Sequence, residues 1–191
     1  MRITGGVWAS RRVLGPSRGL MLRPSPDALR EQAFGILGGE IAGAVFLDLF
    51  AGTGVVSLEA LSRGAAEAVL VEPNQKACEL IRRNLAKFAV PPEQAQLVST
   101  VAAKALEHLG KMGLVVDVVW ADPPFADFHN HLSTLELLAQ GPLLRPGGAL
   151  VLECPPKTCP KVKGFALERV LRGGLLLRRS RPNHFSRAIE G

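Results

Sequence analysis

The stretch Val45-Phe46-Leu47-Asp48-Leu49-Phe50-Ala51-Gly52-Thr53-Gly54 decides the fold. An apolar run leads through a glycine turn into a helical pattern over Val55–Arg63, which Gly64 closes. Gly52 and Gly54 lack a Cβ, so the backbone can turn tightly there and approach a ligand closely. A glycine turn between a buried strand and a helix is where doubly wound α/β sheets bind nucleotides.

The same alternation continues downstream. Ala68–Glu72 reads as a second buried strand, and Asn74 as the cap of a helix reaching about Phe88, with Ala77, Ile81, Leu85 and Phe88 on one face. Gln96–Ser99 follows as a strand, Ala102–Leu109 as a helix, Val115–Trp120 as a strand and His129–Ala139 as a helix. Pro146-Gly147-Gly148 reads as a turn before a fifth strand, Ala149–Glu153, and Phe165–Leu171 with Leu175–Ser180 as a terminal hairpin. Strands apolar on both faces that alternate with helices predict a parallel sheet covered on both sides, in the doubly wound order 3-2-1-4-5.

Upstream, Ile3–Leu14 reads as a short hairpin around Gly5-Gly6 anchored by Trp8. Ser25-Pro26 reads as a helix start, with Ser25 the N-cap and Pro26 the first helical residue, and Leu29, Ala33, Ile36 and Leu37 form one helical face ending at Gly38-Gly39. Two parts follow: an extension over 1–40 and an α/β domain over 41–191. The Pro- and Lys-rich stretch 155–163 reads as a surface loop.

The chain has 191 residues, 47% of them hydrophobic and 21% charged, an ordinary globular composition that excludes disorder and fibrous repeats. No apolar run reaches the roughly 18 residues of a membrane span, and the N-terminus has no signal-peptide core. Three cysteines are too few and too odd for a disulfide framework, so the expectation is a soluble cytoplasmic protein with reduced thiols. Cys154 and Cys159 lack the Cys-x-x-Cys spacing and His129 with His131 does not complete a set, so no metal is expected.

Charge is segregated along the chain. Residues 1–30 carry six Arg against one Asp, residues 157–187 nine Lys or Arg against one Glu, and residues 31–156 eight basic against fourteen acidic residues. Basic ends flanking an acidic middle point to a polyanion partner held by the ends. Arg11, Arg12, Arg23, Arg178 and Arg179 are the candidate phosphate contacts.

Two motifs carry chemistry. In the first, a dinucleotide fingerprint would need a third glycine where Ser57 stands, which disfavours a nicotinamide cofactor. Glu72, twenty residues after Gly52 at the next strand end, can accept hydrogen bonds from both ribose hydroxyls. S-adenosylmethionine has a ribose, no pyrophosphate, and a positive amino group and sulfonium that suit Asp48. The second motif is Asp122-Pro123-Pro124-Phe125 at the end of the fourth strand. The prolines hold the backbone extended, so that their carbonyls and the Asp122 carboxylate converge as acceptors beside the flat face of Phe125. Such a corner fits the exocyclic amine of a nucleobase. In the order 3-2-1-4-5, strands one and four are neighbours, so both motifs would face one crevice.

These residues resemble the bacterial 16S rRNA guanine-N2 methyltransferases of the small ribosomal subunit. The resemblance runs through Arg2-Ile3-Thr4-Gly5-Gly6-x-Trp8, Leu22-Arg23-Pro24-Ser25-Pro26-Asp27-x-x-Arg30-Glu31-x-x-Phe34-x-Ile36-Leu37, the run Leu47–Gly54, Leu58-Glu59-Ala60-Leu61-Ser62-Arg63-Gly64, and Asp122–Phe125. It implies a class I S-adenosylmethionine-dependent methyltransferase of Rossmann-like fold, with a seven-stranded, mostly parallel sheet in the order 3-2-1-4-5-7-6 and a basic N-terminal extension. The reaction implied is methyl transfer to N2 of a guanine in 16S rRNA of an assembling subunit, by a monomer, leaving S-adenosylhomocysteine. Asp48, Phe50, Ala51, Gly52, Gly54, Glu72, Pro73, Val101 and Ala102 would bind the cofactor, and Asp122, Pro123, Pro124 and Phe125 would hold the base. Val101 stands where the family often has Asn or Asp, Ser25 replaces its commoner Thr, and the chain has no Tyr. The alternatives are a DNA or protein amino-methyltransferase using the same corner, and a non-catalytic RNA-binding assembly factor.

Overall fold

The structure is a computed structural model that describes residues 1–16 and 26–180. Its strands are β1 (Val45–Asp48), β2 (Glu67–Val71), β3 (Ala95–Val98), β4 (Val116–Ala121), β5 (Leu144–Glu153), β6 (Phe165–Leu171) and β7 (Gly174–Arg179). The helices are α1 (Asp27–Leu37), α2 (Val55–Ser62), α3 (Gln75–Lys87), α4 (Ala102–Lys111) and α5 (Phe128–Gln140). All seven strands form one sheet, ordered β3-β2-β1-β4-β5-β7-β6. β7 alone runs antiparallel to both its neighbours, β5 and β6.

The hydrophobic pattern explains the layers. Strand residues two apart share a face. Phe46, Val118, Trp120 and Val151 pack with Leu29 and Phe34 of α1, Leu58 of α2 and Ile81 of α3. Leu47, Val69, Val119 and Leu150 pack on the opposite face with Ala105 and Leu109 of α4 and Leu135 and Leu138 of α5. Trp120, fully buried, stacks on Phe34 with ring centroids 5.7 Å apart, and Phe34 stacks in turn on Phe46 at 5.9 Å. Burying each such side chain stabilises the fold by roughly 1.5–3 kcal/mol.

The N-terminal segment shares this core: Ile3 and Val13 are buried in the cluster of α1–α3. Glu59 of α2, fully buried, pins the segment by accepting from the Thr4 amide and hydroxyl, both at 2.7 Å, and from Arg63 Nε at 2.9 Å. Buried Arg30 donates to the Arg2 carbonyl at 2.6 Å and to Asp27 at 2.9 Å.

Three local expectations change. The N-terminal reversal is wider than a turn at Gly5-Gly6: Arg2 bridges Arg12, and a 3-10 turn over Gly6–Trp8 fills the loop. Pro26 stands one residue before α1 instead of opening it, and Ser25 lies outside the described residues. Pro146-Gly147-Gly148 lies inside β5 instead of preceding it. Val116 pairs with Leu144 and Val118 with Ala149, so the extra residues of β5 are absorbed as an irregularity in the ladder, with Gly147 at a positive φ.

Candidate active site

Four strands end, or are followed at once, by an acid after a purely apolar run: Asp48 on β1, Glu72 after β2, Asp122 after β4 and Glu153 on β5. The register aligns them. Asp48 is level with Leu70 and Trp120, Trp120 is level with Val151, and the other three acids lie two residues further along their strands. All four belong to the face that carries α1–α3, at the carboxyl edge of the sheet.

The glycine turn hangs from this edge. Ala51 N–H donates to the Val71 carbonyl at 3.0 Å, and Leu49 N–H to the Trp120 carbonyl at 3.0 Å. Gly54 has φ +75°, a left-handed conformation that glycine adopts without steric cost, and it leads directly into α2. Glu72 staples the turn, its two carboxylate oxygens accepting from Gly52 N–H at 2.9 Å and Asn74 N–H at 2.8 Å. Each oxygen keeps a second lone pair for a ligand hydroxyl. Pro73 is exposed beside it.

Asp48 lies under the turn. Ser57 Oγ donates to its Oδ2 at 2.9 Å. Burial pushes the Asp48 carboxyl up to about 7, against the hydrogen bonds from Ser57 and the Phe50 amide, with a further push from the charges of Glu153 and Glu72. Beyond Glu72, the β2 edge meets the end of β3, where Glu72 N–H donates to the Val98 carbonyl at 3.2 Å. Val101 and Ala102 follow as the cap and first residue of α4, with Val101 exposed and Ala102 buried. They border the far side of the same edge.

The proline corner leaves the adjacent strand. Asp122 is half-buried, Pro123 buried, Pro124 exposed and Phe125 half-buried. One detail differs from expectation: the Pro124 carbonyl is drawn into a 3-10 turn, accepting from Asp127 N–H at 3.1 Å. The Pro123 carbonyl accepts no hydrogen bond among the described residues. Phe50, half-buried at the turn, meets His131 edge-on at 5.1 Å. The edge thus joins hydrogen-bond acceptors and aromatic faces, an electronegative setting for a ligand with hydroxyl groups, positive charge or an amine. Cys154, next to Glu153, is buried, and burial, with Cys159 and Glu153 adding to it, pushes its thiol up to about 12.

The sequence reading passed over Ser57 and Glu153. Ser57 registered only as a missing glycine, yet it holds Asp48 in place. Glu153 accepts from the Trp120 indole N–H at 3.1 Å. Its signal was present: an acid closing the apolar run Leu150-Val151-Leu152, as Glu72 closes Val69-Leu70-Val71.

The candidate phosphate contacts do not gather at this edge. β7 runs antiparallel, so Arg178 pairs with Ala149 and Arg179 with Phe165, towards the opposite end of the sheet. Arg178 is held by both oxygens of Glu40, at 2.6 and 2.7 Å, and by Glu168, and its hydrogen bonds lower the Glu40 carboxyl below its usual range. Arg179 donates to the Leu144 carbonyl. Arg11 and Arg12 are exposed at the C-terminal end of α3, and Arg23 lies outside the described residues.

A mostly parallel sheet in the order β3-β2-β1-β4-β5-β7-β6, with a glycine turn and an acid row at its carboxyl edge, defines a Rossmann-like α/β protein. The chain belongs to the family described as conserved hypothetical protein 95, whose model matches residues 1–171. It is 39% identical over 126 residues to ribosomal RNA small subunit methyltransferase D of Escherichia coli K12, a match covering 65% of this chain and 60% of that protein. The protein of the same name from Haemophilus influenzae is 30% identical over 154 residues, covering 80% and 78%. Among solved structures, the putative methyltransferase yhhF from Escherichia coli superposes with a TM-score of 0.80 at 32% identity, covering 94% of this chain and 98% of that one.

Proposed function

We propose that this protein transfers a methyl group from S-adenosylmethionine to the exocyclic N2 amine of a guanine in 16S rRNA, acting as a monomer on the assembling small subunit. The observation that carries the reading is the juxtaposition of the two motifs. The glycine turn and Asp122 leave β1 and β4, parallel neighbours with Asp48 level with Trp120. The names of its relatives as ribosomal RNA methyltransferases support the same substrate class.

The residues present fit the cofactor. Glu72, already fixed by two backbone amides, offers its remaining lone pairs to the ribose hydroxyls. A Cβ at Gly52 would meet only the Phe50 carbonyl, so the turn leaves room for the cofactor there, Gly54 lets α2 pack closely on Leu70 and Ile81, and Val101 and Ala102 at the end of β3 would lie on the adenine side. The Glu72 carboxylate beside the turn also suits a ligand that carries positive charge. S-adenosylmethionine supplies an electrophilic methyl on a sulfonium.

The chain's own part is to hold and orient the amine. A guanine N2 is a poor nucleophile because its lone pair is shared with the ring. The Asp122 carboxylate and the Pro123 carbonyl accept its two N–H bonds and pull the nitrogen towards a tetrahedral shape, with Phe125 stacked on the base. In-line approach then depends mainly on positioning. Asp122 would also accept the proton released as the N–C bond forms in exchange for the sulfonium S–C bond, with S-adenosylhomocysteine as the leaving group. The base must be unstacked or already exposed to reach this corner.

A tritium-transfer assay with immature small subunits, naked 16S rRNA and DNA tests the reading. Label is expected in the RNA, and Asp122→Ala should lower transfer at least about a hundredfold while cofactor binding stays near wild type. Label only in DNA or protein would assign the corner to another amine. Full biological activity of Asp122→Ala without transfer would leave a non-catalytic assembly factor.

A further inference from the structure

We infer that the exposed side of α3, together with Arg11 and Arg12, is a docking surface for the phosphate backbone of the substrate RNA. The inference rests on the rRNA reading above and adds a surface to it. The outward residues of α3 include Lys76, Arg82, Arg83 and Lys87, all exposed, with Glu79 the single acid of the helix. Lys76, Arg83 and Lys87 are spaced i, i+7 and i+11, so they form one stripe of about 16 Å along the axis. The N-terminal segment extends it: Lys87 Nζ donates to the Arg12 carbonyl at 2.7 Å, and Arg11 donates to the Lys87 carbonyl at 3.2 Å. The Arg11 guanidinium lies over the Phe88 ring at 4.5 Å from its centroid.

Among the described residues, none of these six cations makes an ion pair. Arg178, by contrast, is neutralised by two glutamates. The stripe starts at Lys76, four residues beyond Glu72, and so runs from the rim of the candidate site. Its occupant is a nucleic acid rather than a lipid surface. A membrane-surface helix presents a large apolar face alongside its cations, whereas the apolar face of α3 (Ala77, Leu80, Ile81) is buried in the core and no large exposed hydrophobic residue lies on this helix. A row of unpaired cations with a stacked guanidinium suits a polyphosphate strand.

The test is binding of 16S rRNA across a salt series by the full-length protein and by Lys76→Gln/Arg82→Gln/Arg83→Gln, which removes three cations that make no bond to the described residues. Lys104→Gln/Lys157→Gln, exposed on other elements, is the control. The triple variant should bind roughly tenfold or more weakly near 0.1 M salt, and its plot of log affinity against log salt should be flatter by about two to three. Its melting temperature, cofactor binding and transfer rate at saturating RNA should match wild type. An unchanged affinity and slope would overturn the surface while leaving methyl transfer to rRNA standing. Absence of transfer by the wild-type protein would overturn the functional reading, and the slopes would still decide the surface. Unaltered RNA binding with lost binding to anionic phosphatidylserine vesicles would assign the face to a membrane instead.

Discussion

Asp48 shows how one buried side chain links stability to the site. Its carboxyl is pushed from 3.8 to about 7, chiefly by burial. An acid whose pKa is higher in the folded than in the unfolded chain binds its proton more tightly when folded. Its contribution is therefore complete below about pH 4 and is lost as pH rises through about 7. Asp48→Asn keeps an acceptor for Ser57 and cannot ionise. Thermal unfolding across pH 4–8 should show the wild type losing, relative to this variant, on the order of a few kcal/mol by pH 8. Parallel curves for the two proteins would mean that Asp48 is not buried under the turn. The acid itself was legible in the sequence, because it closes an apolar run before two glycines. Its partner Ser57 was not, since the bond between them exists only once α2 folds back over β1.

Elements were legible where propensity and burial agree. Asn74 was read as a cap and accepts from the Lys76 and Ala77 amides at 2.9 and 3.2 Å. Asn74→Ala should cost about 1 kcal/mol and lower the melting temperature by roughly 2–4 °C, as calorimetry would show; no shift would mean that solvent caps α3 equally well. The strands were legible because burial on both faces leaves long apolar runs. β5 was misjudged at its start because Pro146-Gly147-Gly148 has the composition of a turn. Pairing with β4 carries the chain through it, and Gly148 is a place where a Cβ would meet the Asp117 carbonyl at 3.0 Å. Pro124 is extended as read, with φ −53° and ψ 126°, but the following residues turn at once into a 3-10 turn that takes up its carbonyl.

At the scale of the molecule, charge along the chain is a poor guide to charge on the surface. The basic ends spend Arg30, Arg178 and Arg179 on internal bonds, while the net-acidic middle gathers Asp48, Glu72, Asp122 and Glu153 at the sheet edge and presents the cations of α3 outward. The terminal hairpin was legible, but local composition cannot reveal that its second strand, β7, is the one that pairs with β5 and so carries Arg178 away from the site. Arg178→Ala should therefore lower stability by roughly 1 kcal/mol and leave RNA affinity within about twofold; a large loss of RNA binding with unchanged stability would return Arg178 to the interface. The topology itself, with the glycine turn and the proline corner on adjacent strands, was legible from the order of apolar runs. Whether that shared edge performs the proposed reaction is answered most directly by mass-spectrometric mapping of 16S rRNA from cells with and without the gene. One guanosine should lack its N2 methyl group when the gene is absent and regain it when purified protein and S-adenosylmethionine are added. Identical modification in both strains, or loss of a methyl from any other position or nucleoside, would contradict the assignment.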